Sequence, residues 1–505
     1  MALNKEIKKS NKTCKNYRSL QQDIDLFKPG EKCGVFGIYS SNKNVAEFIF
    51  YGLQALQHRG QESAGIAVSD GEDILVFKDL GLVSQVFSEQ NLAPLQGSIG
   101  IGHTRYSTTG LNVWNNSQPL YRMFKDEVFA IAHNGNLTNT ELLRREQMRK
   151  GIRFETSTDT EVIASLIESS ACGTLEEAIK ETVYRIKGSY SLVILSKNTL
   201  FAIRDPHGFR PMVLGEKEGD RIIASETCAL DIIDAKFIRE VDPGEIITID
   251  KNGMRSQMML DVDRISMCVF ELIYFARPDS YLYNKNIFEI RHKMGRQLAI
   301  ESPAEADMVI GVPDSGTPAA QGFSAQSGIP YTDGLIKNRY IGRTFIQPTQ
   351  EIRQIGVRLK LNPLKEVIKG KKIVVVDDSI VRGTTSKKVI QMLYNAGAKE
   401  IHMRITSPPL LFPCYYGVDM ATKKEFVASY RTLEDIRKYL NLDSLRYLSI
   451  EGLVSAIGQS RDKFCFACFN GDYPVAVDEE MQHEKDYLMS QDFSNTDKIP
   501  AEKHV

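Results

Sequence analysis

The sequence predicts two folded domains: an α+β domain of packed β-sheets, followed by an α/β domain with a doubly wound parallel sheet. Three observations support this prediction. The chain has 505 residues, more than one ordinary hydrophobic core accommodates. Short apolar runs broken by glycine fill residues 33–262. From residue 263 onwards, apolar runs lead instead into polar turns and helices, the pattern of a parallel sheet.

The two ends of the chain differ in composition from these domains. Residues 1–32 are polar and lysine-rich and end in FKPGEK, so we expect a poorly ordered leader. Residues 477–505 are polar and form a predicted C-terminal tail. The predicted domains therefore span residues 33–262 and 263–476.

In the first domain, the apolar runs have the valine and isoleucine content of β-strands. In order, they are CGVFGIY, SAGIAVS, SIGIGHT, VFAIAHNG, YSLVILS, LFAIRD, RIIASE and GEIITID. Two intervening segments, NVAEFIFYGLQALQHRG and TDTEVIASLIESS, have the apolar spacing of helices. The string STDTE supplies a cap and an acid at the start of the second helix.

In the second domain, strands are predicted in ADMVIGVPDSG, KKIVVVDDSIVRGTTS and AKEIHMRITSPP. A helix is predicted in TSKKVIQMLYNAG, which ends in glycine. The alternation of strand, turn and helix is typical of a doubly wound sheet, where ligands bind beyond the carboxyl ends of the strands.

The string IVVVDDSIVRGTTS at 373–386 predicts a phosphate site at such a strand end. Its two carboxylates, Asp377 and Asp378, can hold the two hydroxyls of a ribose. The loop after them opens a helix whose backbone amides and threonine hydroxyls can hold a phosphate. The alternative is an acidic strand end with a polar turn, but the order of the whole string favours a ribose 5-phosphate.

This stretch resembles the PRPP-binding motif of type I phosphoribosyltransferases. A second strand-end stretch, GVPDSGTPAA, then offers Ser315 and Gly316 to the pyrophosphate. The basic segment 335–362 would close over the pyrophosphate with Lys337, Arg339 and Arg343 and exclude water, or else it is simply an exposed basic loop. The resemblance implies a PRPP site made of Ser315, Gly316, Lys337, Asp377, Asp378, Ser379, Arg382, Gly383, Thr384 and Thr385. One Mg²⁺ per subunit would lie near Ser315, Asp377 and Asp378.

Cys33 opens the first apolar run of the first domain. A cysteine is a competent nucleophile once it is partly thiolate. If Cys33 became the first residue, its α-amine, with an unperturbed pKa of about 8, would be a base within the same residue. Taken alone, a Cys-Gly pair is more often part of a core or a turn.

Four further stretches resemble, in order, the class II glutamine amidotransferases with an N-terminal nucleophile: GLQALQHRGQESAGIAV, GIGHTRYSTTG, AIAHNGNLTN and TSTDTE. The resemblance implies that Arg105 holds the α-carboxylate of glutamine and that Asp159 pairs with its α-ammonium. It also implies an oxyanion hole formed by the Asn134 side chain and the Gly135 N–H. The structural alternatives are a surface ion pair for Arg105, a turn for Asn134–Gly135 and a helix cap for Asp159.

Together, the two halves resemble the glutamine PRPP amidotransferase family from Cys33 to about Pro474. The resemblance implies a four-layer αββα sandwich followed by the phosphoribosyltransferase fold. It implies that glutamine, water and PRPP give 5-phosphoribosylamine, glutamate and pyrophosphate in the first committed step of purine synthesis, with ammonia passing inside the protein. It also implies that Met1–Lys32 is a propeptide, that purine nucleotides inhibit, and that the chain forms a homotetramer.

The sequence contains eight cysteines, and Cys465 and Cys468 form a C-x-x-C pair. With the distant Cys268 and Cys414 they could hold zinc or a [4Fe–4S] cluster, or remain four buried thiols. The resemblance implies one [4Fe–4S] cluster per subunit on Cys268, Cys414, Cys465 and Cys468, as in one subgroup of the family.

The net charge of −1 argues against a nucleic-acid partner or an anionic membrane surface. No apolar run approaches the ~20 residues of a membrane span, and the N-terminus lacks a secretory signal. We therefore expect a cytoplasmic protein. Glucosamine-phosphate synthase shares the first domain but has a sugar-phosphate isomerase domain in place of VVVDDSIVRGTTS, so we reject it. The remaining alternative is a catalytically reduced PRPP-binding regulator, which would need neither Cys33 nor the glutamine-binding residues.

Overall fold

The computed structural model describes residues 33–41, 44–106, 112–259, 264–338, 361–418 and 426–477. The predicted leader, almost all of the C-terminal tail and the predicted boundary at 262/263 lie outside the described residues. Arg339 and Arg343 of the predicted closing loop lie outside them as well.

Within the described residues, the first domain forms two antiparallel sheets, of seven and six strands. The seven-stranded sheet has the order Lys236–Glu240, Val213–Lys217, Asp220–Ala224, Gly34–Tyr39, Ile99–Arg105, Ser63–Ser69 and Ile74–Leu80. The six-stranded sheet has the order Gly253–Met258, Glu245–Asp250, Leu200–Arg204, Gly188–Ser196, Glu127–Leu137 and Leu120–Phe124. The strand beginning at Gly34 lies in the middle of its sheet, which places Cys33 next to the core.

The two sheets face each other across an apolar interior that includes Val35, Ile101, Ala132 and Val193. The helix Ala46–Ala55 covers the outer face of the seven-stranded sheet, and the helices Asp159–Glu168 and Leu175–Arg185 cover that of the six-stranded sheet. The remaining helical segments among the described residues are Val83–Val86, Glu89–Leu92, Trp114–Asn116, Thr140–Arg149 and Cys228–Asp231. The predicted four-layer αββα arrangement is confirmed.

The second domain contains a parallel sheet of four described strands, in the order Met308–Gly311, Lys372–Asp377, Glu400–Ile405 and Ser444–Tyr447. Alternate residues of its strands face opposite cores, as Val374 and Val375 do. One face is covered by the helices Ile287–Glu301, Thr317–Ser327 and Ile450–Ile457, and the other by Thr384–Asn395 and Leu433–Leu440. The doubly wound prediction is confirmed.

The other elements described in the second domain are short. They are the strands Met267–Cys268, Tyr281–Leu282, Lys285–Asn286, Leu335–Lys337, Leu361–Pro363 and Phe464–Cys465, and the helices Glu271–Phe275, Lys365–Ile368, Val427–Tyr430, Arg461–Lys463 and Ala467–Asn470. A single hydrophobic cluster runs from the helix Ala46–Ala55 of the first domain to Phe270 and Leu272 of the second. The two domains therefore share a continuous core. Among the described helices, none has the length and apolar character needed to cross a membrane.

Candidate active site

Cys33 lies at the entrance to the strand Gly34–Tyr39, with only 8% of its surface exposed. Its Sγ lies 3.5 Å from the Tyr106 carbonyl oxygen. Burial raises the pKa of the Cys33 thiol to about 11, while the nearby Arg105 guanidinium opposes this shift. The thiol is therefore protonated near neutral pH and needs a base to become a nucleophile.

Arg59 holds the backbone of the cysteine, a role that the sequence analysis missed. Its Nε donates to the Cys33 carbonyl oxygen at 3.2 Å, and its Nη2 lies 2.9 Å from Glu271 Oε1. A second buried partner is Glu226. Burial disfavours the charge of Arg59, but Glu271 and Glu226 outweigh this and raise its pKa. Arg59 lies in the quoted string QHRGQE, but its partners are distant in sequence.

Arg105 and Asp159 both lie near Cys33. Each is close enough to shift the pKa of the thiol, which Arg105 lowers and Asp159 raises. Arg105 ends the strand Ile99–Arg105 and is 2% exposed. Its Nη1 lies 3.9 Å from Glu62 Oε2, so Arg105 does form an ion pair, but a largely buried one rather than the alternative pair on the surface. Asp159 is the first residue of its helix, and the cap is the preceding residue, Thr158, whose side chain accepts from Glu161 N. The alternative that Asp159 caps the helix is therefore wrong, because the cap is the residue before it.

The Asp159 carboxylate is fixed by the strand that carries Asn134. Its Oδ2 accepts from Leu137 N at 3.1 Å, and its Oδ1 lies 3.5 Å from His133 Nδ1. Burial acts to raise the pKa of Asp159, but His133 and the N–H groups of Leu137 and Thr160 outweigh it and lower the pKa. Asp159 is therefore an anion that can pair with an ammonium group.

Asn134 and Gly135 lie in the extended strand Glu127–Leu137, so the turn interpretation of this pair is wrong. Asn134 is 1% exposed, and its Nδ2 has no hydrogen-bond partner among the described residues. A buried amide donor without a partner is costly unless a ligand uses it. This donor fits the predicted oxyanion hole.

The Gly135 N–H lies on the open edge of the same strand. Opposite Gly135, both backbone groups of Tyr190 bond to Asp205, so Gly135 occupies a non-hydrogen-bonded position of the ladder. Its N–H points away from the neighbouring strand, to the edge where Leu137 N meets Asp159. The two predicted oxyanion donors and the predicted ammonium partner thus belong to one strand end.

His103 and Gln118 support this strand end, and sequence reasoning missed both. His103 Nε2 lies 3.1 Å from the His133 carbonyl oxygen, and Gln118 Oε1 accepts from His133 N at 2.8 Å. Burial lowers the pKa of His103 to about 3, so its ring is neutral and can donate this hydrogen bond. Because His133 precedes Asn134, these contacts hold the predicted oxyanion hole in place.

The predicted PRPP residues meet at the carboxyl edge of the parallel sheet. The strands Met308–Gly311 and Lys372–Asp377 are neighbours, so the loops that follow them lie side by side. Ser315 Oγ, from the first loop, donates to Asp378. Asp377 and Asp378 are 5% and 1% exposed. The structure therefore joins two motifs that are far apart in sequence, since Ser315 and Asp378 are separated by 63 positions.

The loop after Asp378 forms a helix start suited to a phosphate. Gly383 has φ +75° and caps the helix Thr384–Asn395, where Arg382, Thr384 and Thr385 surround the first turn. The first N–H groups of a helix lack intrahelical partners and attract anions. Lys337 lies across the edge, where its Nζ pairs with Asp314 next to Ser315.

The oxygen atoms at this edge fit Mg²⁺ chemistry. The Ser315 hydroxyl and the two carboxylates are hard oxygen donors, the type that Mg²⁺ prefers together with substrate phosphates. The Ser379 Oγ donates to Asp378 Oδ1 at 2.7 Å, which fixes that carboxylate. The buried Arg291, bound to the carbonyls of Leu272 and Ala276, adds a positive charge near Asp378 that sequence reasoning missed.

The four predicted cluster cysteines line one cavity, together with Phe209, Arg210 and Tyr416. Parallel pairing places Cys268 directly opposite Cys465. The Cys468 carbonyl accepts from Leu411 N and Phe412 N, which brings the Cys414 segment alongside. Over the part of the chain that the structure describes, no group of three or more His, Cys, Asp or Glu side chains is arranged to hold a single metal ion.

Comparison with family models separates the same two halves. A model described as the glutamine amidotransferase domain matches residues 103–231. A model described as the phosphoribosyl transferase domain matches residues 279–406.

Comparison with whole proteins finds relatives that match almost end to end. The chain is 49% identical over 464 residues to the amidophosphoribosyltransferase of Synechococcus elongatus, covering 91% of this chain and 94% of the relative. It is 50% identical over 466 residues to that of Methanocaldococcus jannaschii, covering 89% and 98%.

Two solved structures are similar over comparable lengths. One, described as the allosteric regulatory enzyme of purine biosynthesis, has a TM-score of 0.85 and 44% identity and covers 90% of this chain and 99% of its own. The other is the glutamine phosphoribosylpyrophosphate amidotransferase of B. subtilis complexed with ADP and GMP. It has a TM-score of 0.84 and 45% identity, and it covers 89% of this chain and 98% of its own.

Proposed function

The chain belongs to the amidophosphoribosyltransferase family, and from this we propose which of its residues perform the two reactions of that enzyme. The chain combines a glutamine amidotransferase domain with a phosphoribosyltransferase domain. It acts in purine biosynthesis, where it converts glutamine and PRPP to 5-phosphoribosylamine. The observation that supports the assignment most directly is the buried, unpartnered Asn134 Nδ2 on the strand end that also fixes Asp159.

In the amidotransferase half, Cys33 is the proposed nucleophile. Its Sγ attacks the side-chain carbonyl carbon of glutamine, and the oxyanion that forms accepts hydrogen bonds from Asn134 Nδ2 and Gly135 N. Arg105 binds the α-carboxylate of glutamine, and Asp159 binds its α-ammonium. The α-amine of Cys33 takes the proton of the thiol and passes it to the leaving nitrogen, so that ammonia departs as the C–N bond breaks. Water then hydrolyses the thioester, which releases glutamate and restores the thiol.

In the transferase half, Asp377 and Asp378 hold the ribose hydroxyls of PRPP. Ser379, Arg382, Gly383, Thr384 and Thr385 hold the 5-phosphate, and Ser315, Gly316 and Lys337 hold the pyrophosphate. Mg²⁺ near Ser315, Asp377 and Asp378 would neutralise charge on the departing pyrophosphate. Ammonia then forms the bond to C1 of the ribose as the pyrophosphate leaves.

We further propose that residues 1–32 form a propeptide, that the domains span 33–262 and 263–476, and that 477–505 is a tail. The argument for the propeptide is chemical, because an amide-linked Cys33 has no α-amine to act as a base. With its pKa raised to about 11 by burial, the thiol of the uncleaved chain is almost entirely protonated near neutral pH.

Active enzyme is therefore expected to begin at Cys33, which intact mass and N-terminal sequencing check. The same preparation, given glutamine, PRPP and Mg²⁺, should release glutamate and pyrophosphate in equal amounts. Full glutamine-dependent activity in a chain that still carries residues 1–32 would overturn both the propeptide and the proposed base. PRPP binding without pyrophosphate release would instead favour the regulator.

For the four-cysteine site we propose one [4Fe–4S] cluster, held by Cys268, Cys414, Cys465 and Cys468. Each thiolate of such a cluster binds a different iron, so its ligands surround a cavity, as these four do. Burial raises the pKa of Cys268, Cys465 and Cys468, so a bound cation is needed to make them thiolates.

Protein purified without oxygen is expected to be brown and to contain about four irons per chain, the stoichiometry of the cluster. Replacing Cys465 with alanine should remove the colour and the iron. The matched change Cys172→Ala, outside the cavity, should leave both unchanged. Colourless protein with one zinc per chain would rule out the cluster.

Feedback inhibition by purine nucleotides is part of the proposal and draws support from the B. subtilis relative, which was solved with ADP and GMP. Assembly into a homotetramer and a cytoplasmic location stay predictions from the sequence. Nucleotide titration of activity, light scattering and cell fractionation test these three proposals.

A further inference from the structure

A short segment of the transferase half, Cys414–Val418, contacts the glutaminase half at the predicted oxyanion hole. Its Tyr415 carbonyl accepts from Asn136 Nδ2 at 2.9 Å, and Tyr415 and Asn136 are 7% and 5% exposed. Asn136 is the second residue after Asn134 on the same strand. The hydrogen bond joins residues 279 positions apart in the chain.

Gly417 lies directly against the backbone of Gly135. A Cβ at Gly417 would lie 2.9 Å from the Gly135 carbonyl carbon and 3.0 Å from its oxygen. On its other side, Gly135 lies against Ser189, because a Cβ at Gly135 would lie 2.1 Å from the Ser189 oxygen. Gly135, whose N–H is one proposed oxyanion donor, is thus held between its own sheet and the transferase half, through its Cα and carbonyl group.

Tyr416, between these two contacts, is anchored to the glutaminase half. Its carbonyl accepts from Arg210 Nη2, and its ring stacks on Phe209 with centroids 4.3 Å apart. The Arg210 carbonyl lies 3.5 Å from Ser191 Oγ, and Ser191 pairs with Asn134 across the sheet. Every residue from Tyr415 to Gly417 therefore reaches the strand end that carries the oxyanion hole.

We propose that Tyr415–Gly417 is a positioning element for the oxyanion hole, so that the transferase half completes the glutaminase site. Oxyanion donors act only when they are held in place before the charge develops, and a misplacement of about 1 Å costs about 10²-fold in rate. None of these three residues touches glutamine in this proposal. They act through the backbone of Gly135 and the side chain of Asn136.

This inference rests on the proposed function, and one variant tests it directly. Gly417→Ala is expected to push against Gly135 and to lower kcat for glutamine hydrolysis by about 10- to 100-fold, up to the loss that follows removal of an oxyanion donor. KM for glutamine should change little, because Arg105 and Asp159 are not displaced. Ammonia-dependent transfer and iron content should equal those of the wild type, since neither uses the oxyanion hole.

Gly458→Ala is the matched control. Gly458 has φ +68° and Gly417 has φ +89°, so alanine meets a positive-φ backbone at both positions, but nothing lies within 4 Å of the Gly458 Cβ position. This variant should hydrolyse glutamine at the wild-type rate. Asn136→Ala removes the hydrogen bond to the Tyr415 carbonyl by changing the glutaminase half instead of the transferase half. It should also lower kcat for glutamine hydrolysis, and it replaces Gly417→Ala as the test if that variant fails to fold.

Alkylation of Cys33 by iodoacetamide separates positioning from general damage. That reaction displaces iodide at a saturated carbon and develops no oxyanion, so its rate should be the same in Gly417→Ala and the wild type. Wild-type glutamine turnover in folded Gly417→Ala, or in Asn136→Ala, would overturn the inference. A wild-type protein that is not labelled at Cys33, or that does not hydrolyse glutamine, would instead overturn the proposed function.

Discussion

Replacing Asp377 and Asp378 together with asparagine is expected to abolish phosphoribosylamine formation while glutamine hydrolysis survives. Both carboxylates are buried at the sheet edge, and the Ser315 and Ser379 hydroxyls are oriented towards Asp378. In the proposed assignment, the ribose hydroxyls and Mg²⁺ then lose their anionic partners. We expect transfer to fall by at least about 10²-fold, the size of effect found when reacting groups are misplaced.

The measurement pairs pyrophosphate release with glutamate release in the same preparation. Asp307→Asn is the matched control, because Asp307 accepts from Lys372 N at the opposite end of the same strand. That variant should keep both activities. Equal loss of glutamate and pyrophosphate release in a folded double variant would mean that the two reactions do not occupy separate sites.

Much of the fold follows from local sequence patterns. The strand Lys372–Asp377 and the helix Asp159–Glu168 lie where apolar runs and a cap predicted them. Five of the strands that the structure describes in the first domain escaped prediction. Among them, Gly253–Met258 is exposed along its whole length and Lys236–Glu240 has no fully buried residue, so neither has the apolar pattern of a buried strand. Edge strands are identified by their neighbours rather than by their own residues.

Some residues of the candidate site could likewise be proposed from local sequence patterns, and others could not. Residues in contiguous motifs, such as Arg105, Asn134 and Asp378, could be proposed from the sequence because one short string carries the chemical signal. The role of Arg59 could not be inferred in this way, because it depends on Glu271, which lies 212 residues further along the chain. Arg59 and its partners are nonetheless important for stability, because removing one member of a buried ion pair typically costs about 3–5 kcal/mol.

The contact between Gly417 and Gly135 shows the same limit. Neither glycine differs in sequence from an ordinary turn residue, and the alternative of a turn at Asn134–Gly135 is wrong because the pair continues a strand. The close approach becomes visible only when both domains are folded against each other. Local patterns therefore predict the chemical groups, while long-range packing determines how those groups are held.

Replacing Cys33 with alanine is expected to remove glutamine-dependent synthesis almost completely while ammonia-dependent synthesis remains. Alanine lacks only the sulfur of cysteine and keeps the same backbone, so the hydrogen bond from Arg59 to the carbonyl of residue 33 is retained. Loss of a nucleophile typically costs about 10⁴-fold or more. Free ammonia at high pH, where ammonium has lost its proton, should restore transfer, because the PRPP site has not been altered.

The variant should be prepared both at full length and from residue 33 onwards, since Cys33→Ala is also expected to block removal of the leader. Cys172→Ala, a partly exposed thiol of the same domain, controls for the loss of a cysteine and should retain glutamine-dependent activity. Rescue by ammonia in the shortened variant means that Cys33 supplies ammonia and nothing else. If ammonia rescues neither form although both bind PRPP, Cys33 also contributes to the transferase site. The shared core between the two domains would then transmit the change, and the proposal of separable sites would be wrong.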